Sequence, residues 1–261
     1  MEPNNLNREL LDRLYAKYNK RRYVHPDPLE FLYNYDDLKD REIAGLIASG
    51  LAYGRVQQIL KSVSTVLNIM DSPFEFVRSV TPVQMKKFFR TFKHRFTTGD
   101  ELVDLLSGIK NTLDKYGSLE HCFIEGYSDY DESVYNALLG FTAKVLGDPN
   151  KRNSLLPCPA KYSAFKRINL YLRWMVRKDD VDPGGWDAIP PSKLIIPLDT
   201  HMHKIGLQCN ATKRKQNNIR TALDITDAFK RINPEDPVKY DFVLTRFGIW
   251  EHNKDTNDGI S

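Results

Sequence analysis

Leu194-Ile195-Ile196-Pro197-Leu198-Asp199-Thr200-His201-Met202-His203-Lys204-Ile205 is the stretch on which the reading of this chain turns. It begins as an apolar extended run and stops at a proline. Proline holds the residue before it in an extended conformation. Asp199 follows, and then an apolar helical pattern begins. A carboxylate at that boundary accepts backbone N–H groups of the first helical turn, so Asp199 reads as an N-cap. An N-cap carboxylate at a helix start is also free to face a pocket.

The same residues contain Asp-x-His-x-His, a pattern that metal-dependent amidohydrolases use to bind a metal. That use needs a strand, where residues two apart point the same way, early in a β/α barrel. Here about 60 residues follow and no β/α alternation precedes. On a helix, His201 and His203 diverge by about 200°. The metal-hydrolase reading is therefore the least favoured alternative, and neither a metal nor a cofactor is expected.

Working outward, the chain reads as helices joined by short loops. Residues 7–20 carry Leu10, Leu11, Leu14 and Tyr18 at helical spacing, and His25-Pro26-Asp27-Pro28 is a stiff break. A helix over 40–49 ends at Gly50-Leu51-Ala52-Tyr53-Gly54, a tight turn. The next helix, 56–70, has Val56, Ile59, Leu60, Val63, Val66, Leu67 and Met70 as its apolar face. Thr81-Pro82 reads as an N-cap with a first-turn proline. Residues 85–96 read as a helix with an aromatic stripe and a solvated basic face; nucleic-acid contact is the less favoured reading of it. Helices over 100–116, 118–125 and 133–146 follow. Residues 240–249 read as a terminal core helix, and 253–261 as a frayed tail. The fold class is all-α.

The chain has 261 residues, 41% of them hydrophobic, enough for a sizeable core. No apolar run reaches the roughly 20 residues needed to cross a bilayer, and the N-terminus lacks a secretory pattern. Three scattered cysteines, Cys122, Cys158 and Cys209, fit free thiols in a reducing cytoplasm. They do not form the closely spaced set an iron–sulfur cluster needs. The net charge of +4 permits an acidic partner without demanding one.

Residues 163–177 read as a helix capped by Ser163, with Lys166 in its first turn. The dipole disfavours a cation there, and Arg173 and Arg177 fall on the same face. An amine nucleophile must be uncharged, so Lys166 is a candidate; an ordinary surface lysine is the plainer reading.

Pro197-Leu198-Asp199-Thr200-His201 before an apolar helix resembles the segment around the catalytic aspartate of helix-hairpin-helix DNA glycosylases. The Leu-Pro-Gly-Val-Gly hairpin of that superfamily is missing here. The archaeal 8-oxoguanine DNA glycosylase branch is closer in pattern, because its lysine lies more than 30 residues before the aspartate. Lys166 and Asp199 are 33 positions apart. Over almost its whole length, notably at 173–180 and 191–194, the chain also resembles an uncharacterised, divergent bacterial branch of the superfamily.

The resemblance implies one glycosylase-like domain over 1–261. Lobe A would span about 41–145, and lobe B about 1–40 plus 146–261, with a cleft between them. It implies a DNA glycosylase with AP lyase activity, acting on duplex DNA with a lesion such as an oxidised purine. Lys166 would be the nucleophile and Asp199 its charge-stabilising partner. Candidate DNA or substrate contacts are His201, Arg173, Gly184, Gly185, Trp186, Lys193, Lys213, Arg214 and Lys215. For Gly184-Gly185 a plain turn is the simpler reading. A helical nucleic-acid-binding protein without the chemistry is the main alternative.

Overall fold

A computed structural model describes residues 7–148, 152–157 and 163–246. Cys158, the end of the expected terminal helix and the tail lie outside these residues. The fold is all-α, with one two-residue-per-strand hairpin. The helices are α1 (Arg8–Tyr18), α2 (Leu38–Gly50), α3 (Val56–Met70), α4 (Pro73–Ser79), α5 (Pro82–Phe88), α6 (Gly99–Tyr116), α7 (Leu119–Ile124), α8 (Tyr135–Leu146), α9 (Lys166–Val176), α10 (Thr200–Gln208) and α11 (Ile219–Lys230). The hairpin pairs β1 (Lys93–His94) with β2 (Thr97–Thr98). No helix among the described residues is long and apolar enough to cross a membrane.

Side-chain caps set most helix starts, as their chemistry requires. Asn7, Asp37, Ser72, Ser118, Asp199 and Asn218 each accept a first-turn N–H, and Thr81 and Thr98 form full capping boxes with Gln84 and Glu101. Two expectations fail locally. Val56 lies at the exposed end of α3 rather than in the core. The helix expected over 85–96 ends at Phe88, and the chain turns into the hairpin.

Helix α2 is the centre of the molecule. Every residue from Glu42 to Gly50 is buried, beneath α9, α3, α4 and the 3-10 segment Pro28–Asn34. One hydrophobic core runs from Leu11 to Val243. Helices α4 to α8 pack on one another through α6. The N-terminal elements instead clasp the C-terminal part: Asp12 binds Lys239 and Tyr240, Tyr15 binds Asp179, and Arg246 reaches the Val24 and Pro26 carbonyls.

Gly108 lets α6 touch α8, since a Cβ there would sit 1.9 Å from the Val145 carbonyl oxygen. Gly108→Ala forces the helices apart and lowers stability by roughly 1–3 kcal/mol, readable by urea unfolding.

Glu42 is the buried charge of α2. Its carboxylate accepts N–H groups of Leu119 and Glu120 at 3.0 and 3.3 Å, and the Trp186 indole N–H at 3.3 Å. Burial outweighs these bonds and pushes its pKa up to about 7. The folded state thus holds this proton more tightly than the unfolded chain does. The associated stability is full below about pH 4.5 and is lost as pH rises through 7. Relative to Glu42→Gln, the wild type is expected to lose about 3 kcal/mol between pH 4.5 and 8. Unfolding curves across that range check it, and parallel pH profiles for the two proteins would refute it.

Candidate active site

Lys166 and Asp199 meet. Lys166 is the first residue of α9, and Asp199 caps α10 through a 2.8 Å bond from the Met202 N–H to Oδ1. The other carboxylate oxygen, Oδ2, lies 3.4 Å from Lys166 Nζ. The side chains are 36% and 20% exposed, so both reach solvent. The chain brings them together by an out-and-back path. Helix α9 carries it about 15 Å away, and residues 177–198 return it, with Leu194–Leu198 buried. The Ile196 N–H donates to Thr226 Oγ1 of α11 on the way. The return contains no helical hairpin: it has an isolated bridge, Lys178 to Pro183, and the short 3-10 turn Pro191–Lys193.

The pair faces a cleft of about 560 Å³, lined among others by Tyr53, Gly54, Arg167, His201 and Asn217. Its electrostatics favour an anion. Ser163 does not cap α9; its hydroxyl accepts the Phe165 N–H at 3.3 Å. Phe165 takes the cap position in a left-handed conformation without a side-chain bond, so among the described residues first-turn N–H groups of α9 lack a side-chain cap. Arg167 adds a cation on the cleft wall. Its Nη1 donates to the carbonyls of Gly50 and Ser154 at 2.5 and 2.6 Å. Its guanidinium lies 4.9 Å from the Tyr53 ring centroid. Among the described residues it has no carboxylate partner, and burial pulls its pKa below the usual arginine range.

Residues 27–250 match the family model described as Protein of unknown function (DUF2400). The chain belongs to that family. The matched span includes Lys166, Asp199 and every cleft residue named above. Comparison with curated proteins and with solved structures gives no match.

Several candidate contacts in this family member lie elsewhere than DNA binding would need. Arg173 is 3% exposed and Trp186 1%. Arg173 donates to Asp182 and Asp241, and Trp186 packs between Phe123 and Tyr171. Neither reaches the surface, and stacking a base on Trp186 would require unpacking the core. Arg177 is buried in the same charge cluster, paired with Asp179, Asp182 and Asp236. The like charge expected beside Lys166 is thus neutralised. The Gly184 N–H is committed to the Trp174 carbonyl at 3.0 Å. A Cβ on Gly185 would meet Leu38 at 2.3 Å. These glycines make a turn against α2, and the Gly184 N–H is not available to a phosphate.

Lys193 lines a different pocket, where Nζ binds the carbonyls of Asp129 and Asp131. Lys213, Arg214 and Lys215 lie outside the helices. They are exposed on the loop before α11, with Arg214 paired to Asp224 at 2.7 Å. That loop continues to Asn217 at the cleft. His203 Nε2 meets the Arg214 carbonyl at 2.7 Å, while His201 lines the cleft. The two histidines serve different surroundings. Among the described residues no group of three or more His, Cys, Asp or Glu side chains is arranged to hold a metal ion.

Sequence reasoning missed Tyr53, Arg167 and Asn217. The only available signal for Arg167 was its place beside Lys166 at a helix start. Tyr53 sits in Gly50-Leu51-Ala52-Tyr53-Gly54, which reads as a turn and nothing more.

Proposed function

We propose that this protein is a DNA glycosylase with AP lyase activity, a divergent member of the helix-hairpin-helix superfamily. The observation that carries the reading is the 3.4 Å approach of Lys166 Nζ to Asp199 Oδ2 at the wall of an open cleft. An amine and a carboxylate at that separation are the two groups base excision needs. The electropositive cleft wall suits a nucleotide extruded from a duplex. The clasp between the N-terminal elements and the C-terminal part, apart from the α4–α8 packing, is compatible with two lobes.

In the proposed reaction the uncharged Nζ attacks C1′ of the extruded nucleotide. The C1′–N bond breaks and the base leaves with its electron pair. The proton shed by the amine passes through Asp199 or water to the departing base. The nitrogen lone pair then forms the C1′=N bond as C1′–O4′ breaks, O4′ takes a proton from water, and a Schiff base results. Loss of a C2′ proton expels the 3′-phosphate and nicks the strand. Asp199 also faces the positive charge that builds on the sugar.

Borohydride trapping tests this on duplexes carrying 8-oxoguanine, an abasic site or neither. A covalent adduct on a lesion duplex is the expected result, and the lesion that supports it names the substrate. DNA binding without an adduct on any duplex would replace this reading with a non-catalytic nucleic-acid-binding protein.

A further inference from the structure

The hairpin over 93–98 projects beside the cleft. His94 fixes its base: Nδ1 contacts Ser62 Oγ and Nε2 contacts the Tyr53 carbonyl, both at 2.9 Å. The Tyr53 hydroxyl in turn donates to the His94 carbonyl at 2.9 Å. Thr97 Oγ1 bonds Ser154 Oγ. Arg95, in a left-handed conformation, and Phe96 form the tip. The Phe96 ring stacks on Tyr53 with centroids 5.0 Å apart and planes 25° from parallel, yet it remains 64% exposed. Tyr53 itself lines the cleft that holds Lys166 and Asp199.

The result is an aromatic ring held in place by its neighbours, with much of its surface open to water at the cleft rim. One face of the ring is covered by Tyr53, but the larger, exposed part gains nothing from burial. The charges around it point to a partner. Residues 86–98 contain Lys86, Lys87, Arg90, Lys93 and Arg95 and no acidic residue. Arg90, Lys93 and Arg95 are exposed and form no ion pair among the described residues; Lys86 alone reaches a carboxylate, Asp100, at 3.8 Å. Cations flanking a planar ring match a nucleic-acid strand, in which phosphates flank each base.

We propose that the hairpin is a base-stacking arm: an unpaired base next to the nucleotide in the cleft stacks on Phe96, while Lys93 and Arg95 contact the neighbouring phosphates. The proposal rests on the reading of the cleft as a base-excision site, but its test reads binding alone.

The test is fluorescence anisotropy with a labelled duplex carrying a tetrahydrofuran abasic analogue, and with a labelled single strand. Phe96→Ala is expected to weaken binding to both by about 5- to 150-fold, and Phe96→Trp to preserve it. Lys93→Ala and Arg95→Ala should each reduce the slope of log K against log salt by about 1. Circular dichroism and thermal melting of Phe96→Ala confirm that this exposed substitution leaves the fold intact. A dissociation constant for Phe96→Ala within twofold of wild type overturns the arm, even if wild type traps on a lesion. Weakened binding without trapping supports the arm and removes the chemistry instead.

Discussion

Under the proposed lyase chemistry, Lys166→Ala is expected to abolish borohydride trapping on every duplex that traps the wild type. Without the amine there is no nitrogen to form the imine, so the loss is complete rather than graded. Folding does not explain it. The Lys166–Asp199 contact is open to solvent, and such pairs contribute about 1 kcal/mol or less. Asp199→Asn is the sharper companion. Asparagine caps a helix about as well as aspartate, so α10 stays intact. It cannot take a proton from Lys166 or face a cationic sugar with a full charge. Single-turnover excision should then slow by roughly 10²–10⁴-fold, with binding to an uncleavable abasic analogue within a few-fold of wild type. Excision at an undiminished rate in Asp199→Asn would remove the aspartate from the mechanism.

Arg173→Met should cost roughly 3–5 kcal/mol, the scale for removing one member of a buried charge cluster. For a chain of this size that is on the order of a 10 °C fall in Tm. Arg173 holds Asp182 at 3.2 Å and Asp241 at 2.5 Å, and all three side chains are almost fully buried. Burial already pushes Asp241 up to about 6 despite the arginine. Without Arg173, both carboxylates favour their neutral forms more strongly in the folded state. The defect should therefore shrink as pH falls from 7.5 towards 5, because the folded variant binds protons there that its unfolded chain does not. A pH-independent loss would mean that packing, and not charge, carries the effect.

The all-α class and most helix starts were legible because caps and apolar spacing are local signals. Thr81-Pro82 and the 56–70 face needed nothing beyond their own neighbours. Lys166 and Asp199 were legible as residue types at helix starts, but their meeting was not. It depends on the return of 177–198, whose course is set by contacts with α2 and α11. Arginines are usually exposed, so Arg173 and Arg177 read as surface cations. Their partners Asp179, Asp182, Asp236 and Asp241 lie up to 68 positions away. The hairpin was hidden for a related reason. Residues 85–96 have helical aromatic spacing, and no Asn-Gly or Asp-Gly marks the turn at Arg95-Phe96. Bonds from His94 to Ser62 and Tyr53 decide that conformation.

The clasp between the two ends of the described chain bears on synthesis. A growing polypeptide folds from its N-terminus as it emerges. Helix α9 leaves the ribosome well before Asp236 and Asp241, which complete the charge balance of its Arg173 and of Arg177 just after it. Until those late residues arrive, the segment that presents Lys166 has an unfinished interior. Helices α4 to α8 bury no arginine or aspartate of this kind. The order of assembly thus completes the scaffold of the cleft late, so that Lys166 is fixed against Asp199 only once residues 236–241 have emerged.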